Sequence, residues 1–229
     1  MHNTELLAAT SSMDFHHPLI GKFIERHTFP GASERETAVA LYYAVRDDIR
    51  YDPYRIDLSI QGLRASTSLQ LGYGWCVSKA VLLAACCRAK GLQARLGFAD
   101  VKNHLSTPRL RDYMRTDVFL WHGYTEILLG DQWVKATPAF NKELCKKANV
   151  SPLEFNGVQD STLQPFDLEG NKYMEYLNER GHYNDLPLGY IQDTFKKHHR
   201  QFREMVNWDF DADISMNAHK KLRGVTTET

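Results

Sequence analysis

Two residues in this chain have the type and setting for nucleophilic chemistry, Cys76 and His122. Cys76 follows Gly72-Tyr73-Gly74-Trp75, and from it onward the apolar pattern turns helical, so the thiol falls at a helix start. There the unpaired backbone N–H groups and the positive end of the helix dipole favour a thiolate and can cradle an oxyanion. His122 lies in Trp121-His122-Gly123, inside an apolar run that reads as a strand, where an imidazole needs a reason to be. Within hydrogen-bond reach of each other, the two would form a thiolate–imidazolium couple that attacks acyl groups without metal or cofactor. Gln70 and Trp75, just ahead of the thiol, are candidates for the acyl oxyanion site. Each has a plainer alternative: cysteine as a small buried hydrophobe, histidine as a satisfied core side chain, tryptophan as packing.

The elements that must position these residues follow from periodicity. Ser33 with Glu36 reads as a capping box, and Ala38, Leu41, Tyr42, Val45 and Ile49 share one helical stripe until Asp52-Pro53 stops it, giving a helix over about 34–50. Residues 53–75, with Gly62, Gly72 and Gly74, read as an extended connection ending in a tight turn. The run from Cys76 to Gly91 is apolar nearly all round and so predicts a central buried helix. Leu92, Ala94, Leu96 and Phe98 alternate as in a strand, and 102–116 reads as a loop excursion. VFLWHGYTEILL and QWVKATPAF flank Gly130-Asp131, a two-residue hairpin turn. A tight turn pairs Glu126 with Lys135, Leu128 with Trp133 and His122 with Ala139, which makes Thr137 and Asn141 the diagonal neighbours of His122. Beyond 145 the chain reads as an irregular wrap, with a short helix over 172–180 and a longer one from near Pro187 carrying Phe195, Phe202 and Val206. The first ~30 residues read as a lead-in with one short helix, and the tail after about 207 as loosely held. His104 belongs to a lid or a solvated loop, Tyr51-Asp52-Pro53-Tyr54 lines the cleft or only ends a helix, and Lys196-Lys197-His198-His199-Arg200 reads as a solvated face.

Composition narrows the function classes. The chain of 229 residues is 43% hydrophobic and 24% charged, an ordinary globular make-up. Its 28 basic residues equal its 28 acidic ones, so no net field gathers nucleic acid or an anionic membrane. No apolar stretch reaches the length of a bilayer span, and the start lacks a signal-peptide pattern, which places the chain in the cytoplasm. Cys76, Cys86, Cys87 and Cys145 form no disulfide framework, and the sequence lacks C-x-x-C, H-E-x-x-H and D-x-D-x-D-G spacings, so no metal or other cofactor is expected.

The segments VRDDIRYDP, GYGWCVSKAVLLAACCRAKGLQARLGFADV and WHGYTEILLGDQWVKATPAF together resemble the core of the transglutaminase-like superfamily, over about residues 37–141. The resemblance rests on a G-x-G-x-C helix start, an R-A-x-G-x-x-A-R passage from helix to strand, and H-x-x-x-E…G-x-x-W at hairpin spacing. It implies an α+β, papain-like fold in which an antiparallel sheet packs on a central Cys-bearing helix, as a stand-alone domain of the bacterial type. It further implies that Cys76 is the nucleophile, that His122 is its base, and that a third polar residue before a proline orients the histidine. That third residue is ordinarily Asp; here it is Thr137, in Ala136-Thr137-Pro138, which brings no negative charge. The Asn141 carbonyl is the alternative, as an amide serves in papain-like enzymes. The expected organisation is a lead-in over 1–33, the core over 34–145, and a wrap with helices over 146–229 packed on the same domain. The expected function is thiol-dependent hydrolysis of a peptide or protein amide through an acyl-thioester on Cys76. The alternatives are acyl transfer to an amine, or a binding scaffold with little turnover, motivated by Thr137.

Overall fold

The computed structural model describes residues 4–103, 106–163, 165–198 and 208–216. A 3₁₀ turn, Thr4–Leu7, leads into helix α1, Pro18–His27. Helix α2, Glu34–Asp48, opens on the expected capping box: the Ser33 hydroxyl accepts from the Glu36 N–H, and the Glu36 carboxylate accepts from the Ser33 N–H. The segment read as extended contains a short strand β1, Arg50–Tyr51, helix α3, Ala65–Leu71, and strand β2, Tyr73–Gly74. Helix α4, Cys76–Ala89, buries all but its last residue, in agreement with a run that is apolar on every side.

Strand β3, Ala94–Asn103, is followed by helix α5, Pro108–Met114, where a loop excursion was expected; Pro108 sits at the first helical position and the Thr107 hydroxyl caps the Leu110 N–H. Strands β4, Val118–Leu129, and β5, Gln132–Ala136, form the hairpin in the expected register, with Glu126 opposite Lys135 and Leu128 opposite Trp133. The charges on that pair are satisfied elsewhere, Glu126 by Arg95 across β3 and Lys135 by Glu179. After helix α6, Lys142–Ala148, comes the largest departure: the segment expected to be helical over 172–180 is strand β6, Met174–Tyr183. Its residues are mostly exposed, so no alternating pattern betrays it, and its partner β3 supplies the ladder that its sequence does not advertise. Helix α7, Leu188–His198, starts where expected, and 210–216 is helical and packed, with Phe210 and Ile214 buried, not loosely held. His104, His199, Arg200, Phe202 and Val206 lie outside the described residues.

The main sheet is antiparallel throughout, in the order β5-β4-β3-β6. Helix α4 packs against β3 and β4, and its Val81, Leu82 and Leu83 are fully buried, each contributing ~1.5–3 kcal/mol by its removal from water. The Thr125 hydroxyl donates to the Ala80 carbonyl, which fixes the helix along the strand. A second cluster, with Ala99, Val101, Tyr124, Cys145, Tyr173 and Met174, fills a different side of the sheet. The fold is α+β, with an antiparallel sheet on a central cysteine-bearing helix. Among the described residues no helix is long and apolar enough to cross a membrane.

Candidate active site

Cys76 is the first residue of α4, and three local devices hold it there. The Trp75 N–H donates to the Ser78 hydroxyl, which caps the helix start. Gly74 has no room for a side chain, since a Cβ there would lie 2.5 Å from the Ser78 hydroxyl. Strands β1 and β2 pair in parallel, Tyr51 opposite Gly74, with the Asp52 N–H bonded to the Gly74 carbonyl. The pairing fixes Tyr51 beside the helix start, where its ring lines the same cavity as the thiol. Lys79, one turn further along α4 and fully buried, donates to the carbonyls of Arg46 and Ile49 and so ties α4 to the end of α2.

His122 is delivered by an irregularity in the sheet. The β3–β4 register shifts between Ala99 and Val101, and Trp121 has a left-handed backbone, φ 61°, costly for so bulky a residue. Asp100 accepts from the Trp121 N–H and from Arg180, whose guanidinium lies 4.6 Å from the centre of the Trp121 ring; the indole N–H donates to Thr194 of α7. Gly123, the next residue, lets α4 approach closely: a Cβ there would meet the Val77 Cα at 3.0 Å.

Cys76 and His122 line one cavity, whose empty space including the mouth is about 890 Å³. Its walls are overwhelmingly apolar, and Trp75 and Tyr51 share them. Cys76 and His122 are nearly sealed, 6% and 5% exposed. Burial pushes the Cys76 thiol up to about 11, outweighing the downward pull of the N–H groups of Gly123, Val77 and Cys76 itself. Burial also pushes the His122 imidazole down to about 4. Both shifts oppose the thiolate–imidazolium couple, because desolvation penalises both charges more than the helix start rewards one.

Thr137 and His122 face a second, smaller cavity of about 230 Å³, together with Ala139 and Phe140. Thr137 is clamped by its backbone, its N–H on the Ser161 carbonyl and its carbonyl accepting from the Tyr42 hydroxyl. Its own hydroxyl is buried without a partner, and so are His122 Nε2 and the Trp75 indole N–H. Strand β5 ends at Ala136, so His122 and Ala139 meet across this cavity and not as a ladder pair. The Asn141 side-chain carbonyl is occupied by the Tyr51 N–H at 3.0 Å, and Asn141 lines neither cavity. Gln70 is exposed on α3 and lines neither. Tyr51 and Pro53 line the cavity, the first of the two alternatives for that segment; Ser106, whose hydroxyl is buried in the cavity wall without a partner, was not among the candidate site residues, since no spacing in the sequence links it to Cys76. Among the described residues no three His, Cys, Asp or Glu side chains group to hold a metal ion.

Three comparisons bear on this arrangement. The structure is similar to that of a putative cysteine protease from Cytophaga hutchinsonii, with a TM-score of 0.48 and 14% identity over 79% of this chain and 46% of that one. The present chain thus spans about half the length of that protein. No curated protein matches it. The family model of the Transglutaminase-like superfamily matches residues 22–138, just over half of the chain, from α1 through the hairpin to the proline after Thr137. The chain belongs to the transglutaminase-like superfamily.

Proposed function

We propose that this protein is a thiol-dependent amide hydrolase in which Cys76 attacks a carbonyl and His122 moves the proton. The observation that carries the reading is that thiol and imidazole share one cavity, while His122 and Thr137, whose buried hydroxyl has no partner, line a second. Since both shifts oppose separated charges, His122 takes the thiol proton as the sulfur attacks, and the charges arise together on a bound substrate. His122 Nε2 and the Thr137 hydroxyl are both buried without a partner beside the same small cavity, and in this scheme Thr137 orients the ring from there. The indole N–H of Trp75, also unpartnered in the wall, and the backbone N–H groups at the start of α4 are the oxyanion donors in this scheme. Sulfur–carbon bond formation expels the amine, which leaves with the proton from His122. Water then opens the acyl-thioester, releasing the acid and restoring the thiol. Residues 34–145 carry the machinery in this reading, and 146–229 supply further walls to the same unit.

The test is intact-mass spectrometry of the chain mixed with an activated acyl donor. A transient acyl adduct on Cys76 is expected, absent in Cys76→Ala and formed at least a hundredfold more slowly in His122→Ala. Acylation of another cysteine instead, or none at all, would overturn the proposal. One observation favours a non-catalytic scaffold, the uncharged Thr137 at the third position; a chain that binds acyl donors without ever forming the adduct fits that reading. Added primary amine that captures the acyl group faster than water identifies a transamidase.

A further inference from the structure

The cavity in front of Cys76 restricts what can occupy it. Ile56, Val101, Leu110, Met114, Phe119 and Leu144 form much of its wall, and Phe210 and Ile214 add to it from the segment 210–216. Among the described residues, no Asp, Glu, Lys or Arg lines it. Charges close to it in the chain are spent on each other, Arg109 with Asp213 at 3.1 Å and Lys147 with Asp211 at 2.7 Å. A charged side chain placed here would lose its water and find no counter-ion. A hydrocarbon chain would lose nothing and gain the burial of every methylene.

Which half of an acyl donor fills it follows from the order of events. The acyl half stays bonded to sulfur after the first half-reaction, whereas the leaving group must depart and water must enter. The half that remains needs the enclosing wall, and the half that exchanges needs the mouth.

Resting on the reading of Cys76 as nucleophile, we propose that the cavity selects an uncharged, hydrocarbon-rich acyl group, so that the natural donor is an amide or ester of a long aliphatic or aryl-aliphatic acid and not a peptide with charged side chains. In the first step the Cys76 sulfur–carbonyl bond forms, the carbonyl–nitrogen or carbonyl–oxygen bond breaks, and the thiol proton passes through His122 to the departing group. In the second, water cleaves the thioester to the free acid and the thiol.

The test uses the full chain and p-nitrophenyl esters from acetate to decanoate, with a carboxylate-ended ester of matched length. Nitrophenolate release gives the second-order rate constant for acylation. The expected result is a rise of about fourfold per added methylene, the rate equivalent of about 0.8 kcal/mol for burying one CH₂ group, and at least a hundredfold discrimination against the carboxylate-ended chain. Leu110→Trp, or Ile56→Phe if the first does not fold, shortens the preferred chain. Decanamide binding to Cys76→Ala, followed by tryptophan fluorescence, reads the cavity without the chemistry. Decanamide binding with no acylation of the natural chain by any ester sinks the nucleophile reading and leaves the cavity's preference standing. Acylation of Cys76 that is independent of chain length, or faster with the carboxylate-ended ester, overturns the preference and leaves the nucleophile reading intact.

Discussion

At the scale of the residue, the site is governed by burial. Free cysteine and histidine have ordinary values that allow a partly formed ion pair near neutrality. Here burial pushes the thiol up to about 11 and the imidazole down to about 4, and both shifts oppose charge separation. The imidazole shift makes a statement about stability. His122 takes a proton at pH 6.5 in the unfolded chain and only near 4 in the folded one, so between these values the unfolded state binds more protons and stability falls as the pH drops. The full penalty, at most about 3 kcal/mol, is reached below pH 4. Urea denaturation at pH 7 and pH 4 should show His122→Phe gaining on the natural chain by up to that amount at the acid end. Thr137→Asp gives the opposite shift: a carboxylate behind the ring should raise the imidazole by at least one unit, seen in its proton NMR titration, while a buried charge lowers overall stability. Cys76 and His122 were legible because glycine, helix periodicity and strand periodicity mark their places. Ser106 was not, because it reaches the cavity from just ahead of α5, a helix with no pattern of its own.

At the scale of the element, the device that aims His122 is the kink between β3 and β4. Trp121 holds a left-handed backbone that costs about 1–3 kcal/mol, and it persists because Asp100, Arg180 and Thr194 grip it on three sides. Arg180→Ala should lower acyl-enzyme formation about tenfold or more with little change in decanamide affinity, a split between chemistry and binding that simple loss of stability would not produce. Arg180 comes from β6, the strand that sequence reasoning took for a helix. Met174, Glu175, Leu177 and Glu179 are residues tolerated in helices, and only the ladder to β3 decides the matter. The hairpin's turn and its pairs out to Thr125 opposite Ala136 were legible because turn chemistry and a period of two agree, whereas the expected pairing of His122 with Ala139 lies past the end of β5. Helix α4 was legible because an apolar run of that length has nowhere to go but the core. Helices α3 and α5 are seven residues each and fall below the length at which periodicity can be read.

At the scale of the whole molecule, the question is what holds the chain's ends to its core, and the answer lies in a residue of the helix-to-strand motif. Arg88, 2% exposed near the end of α4, donates to the Ala8 carbonyl in the N-terminal lead-in, twice to the Ala94 carbonyl of β3, and to the Asn184 carbonyl between β6 and α7. One guanidinium thus joins three stretches of chain that are remote in sequence, and its planar fork suits a task that a lysine ammonium cannot do. Burial lowers its affinity for a proton, and the carbonyls that surround it repay the desolvation. Removing it takes a charged donor from the buried Ala94 carbonyl and from the carbonyls of the exposed residues Ala8 and Asn184; such a bond is worth about 1.5–3 kcal/mol, although the losses will not add in full. Arg88→Ala should therefore cost about 3–5 kcal/mol, which for a chain of this size lowers the melting temperature by roughly 6–20 °C. Arg88→Lys should recover less than half of that, because a single ammonium cannot span Ala94 and Asn184 together. Calorimetry of the three chains checks the order. If Lys restores the melting temperature fully, the charge alone matters and the fork geometry does not.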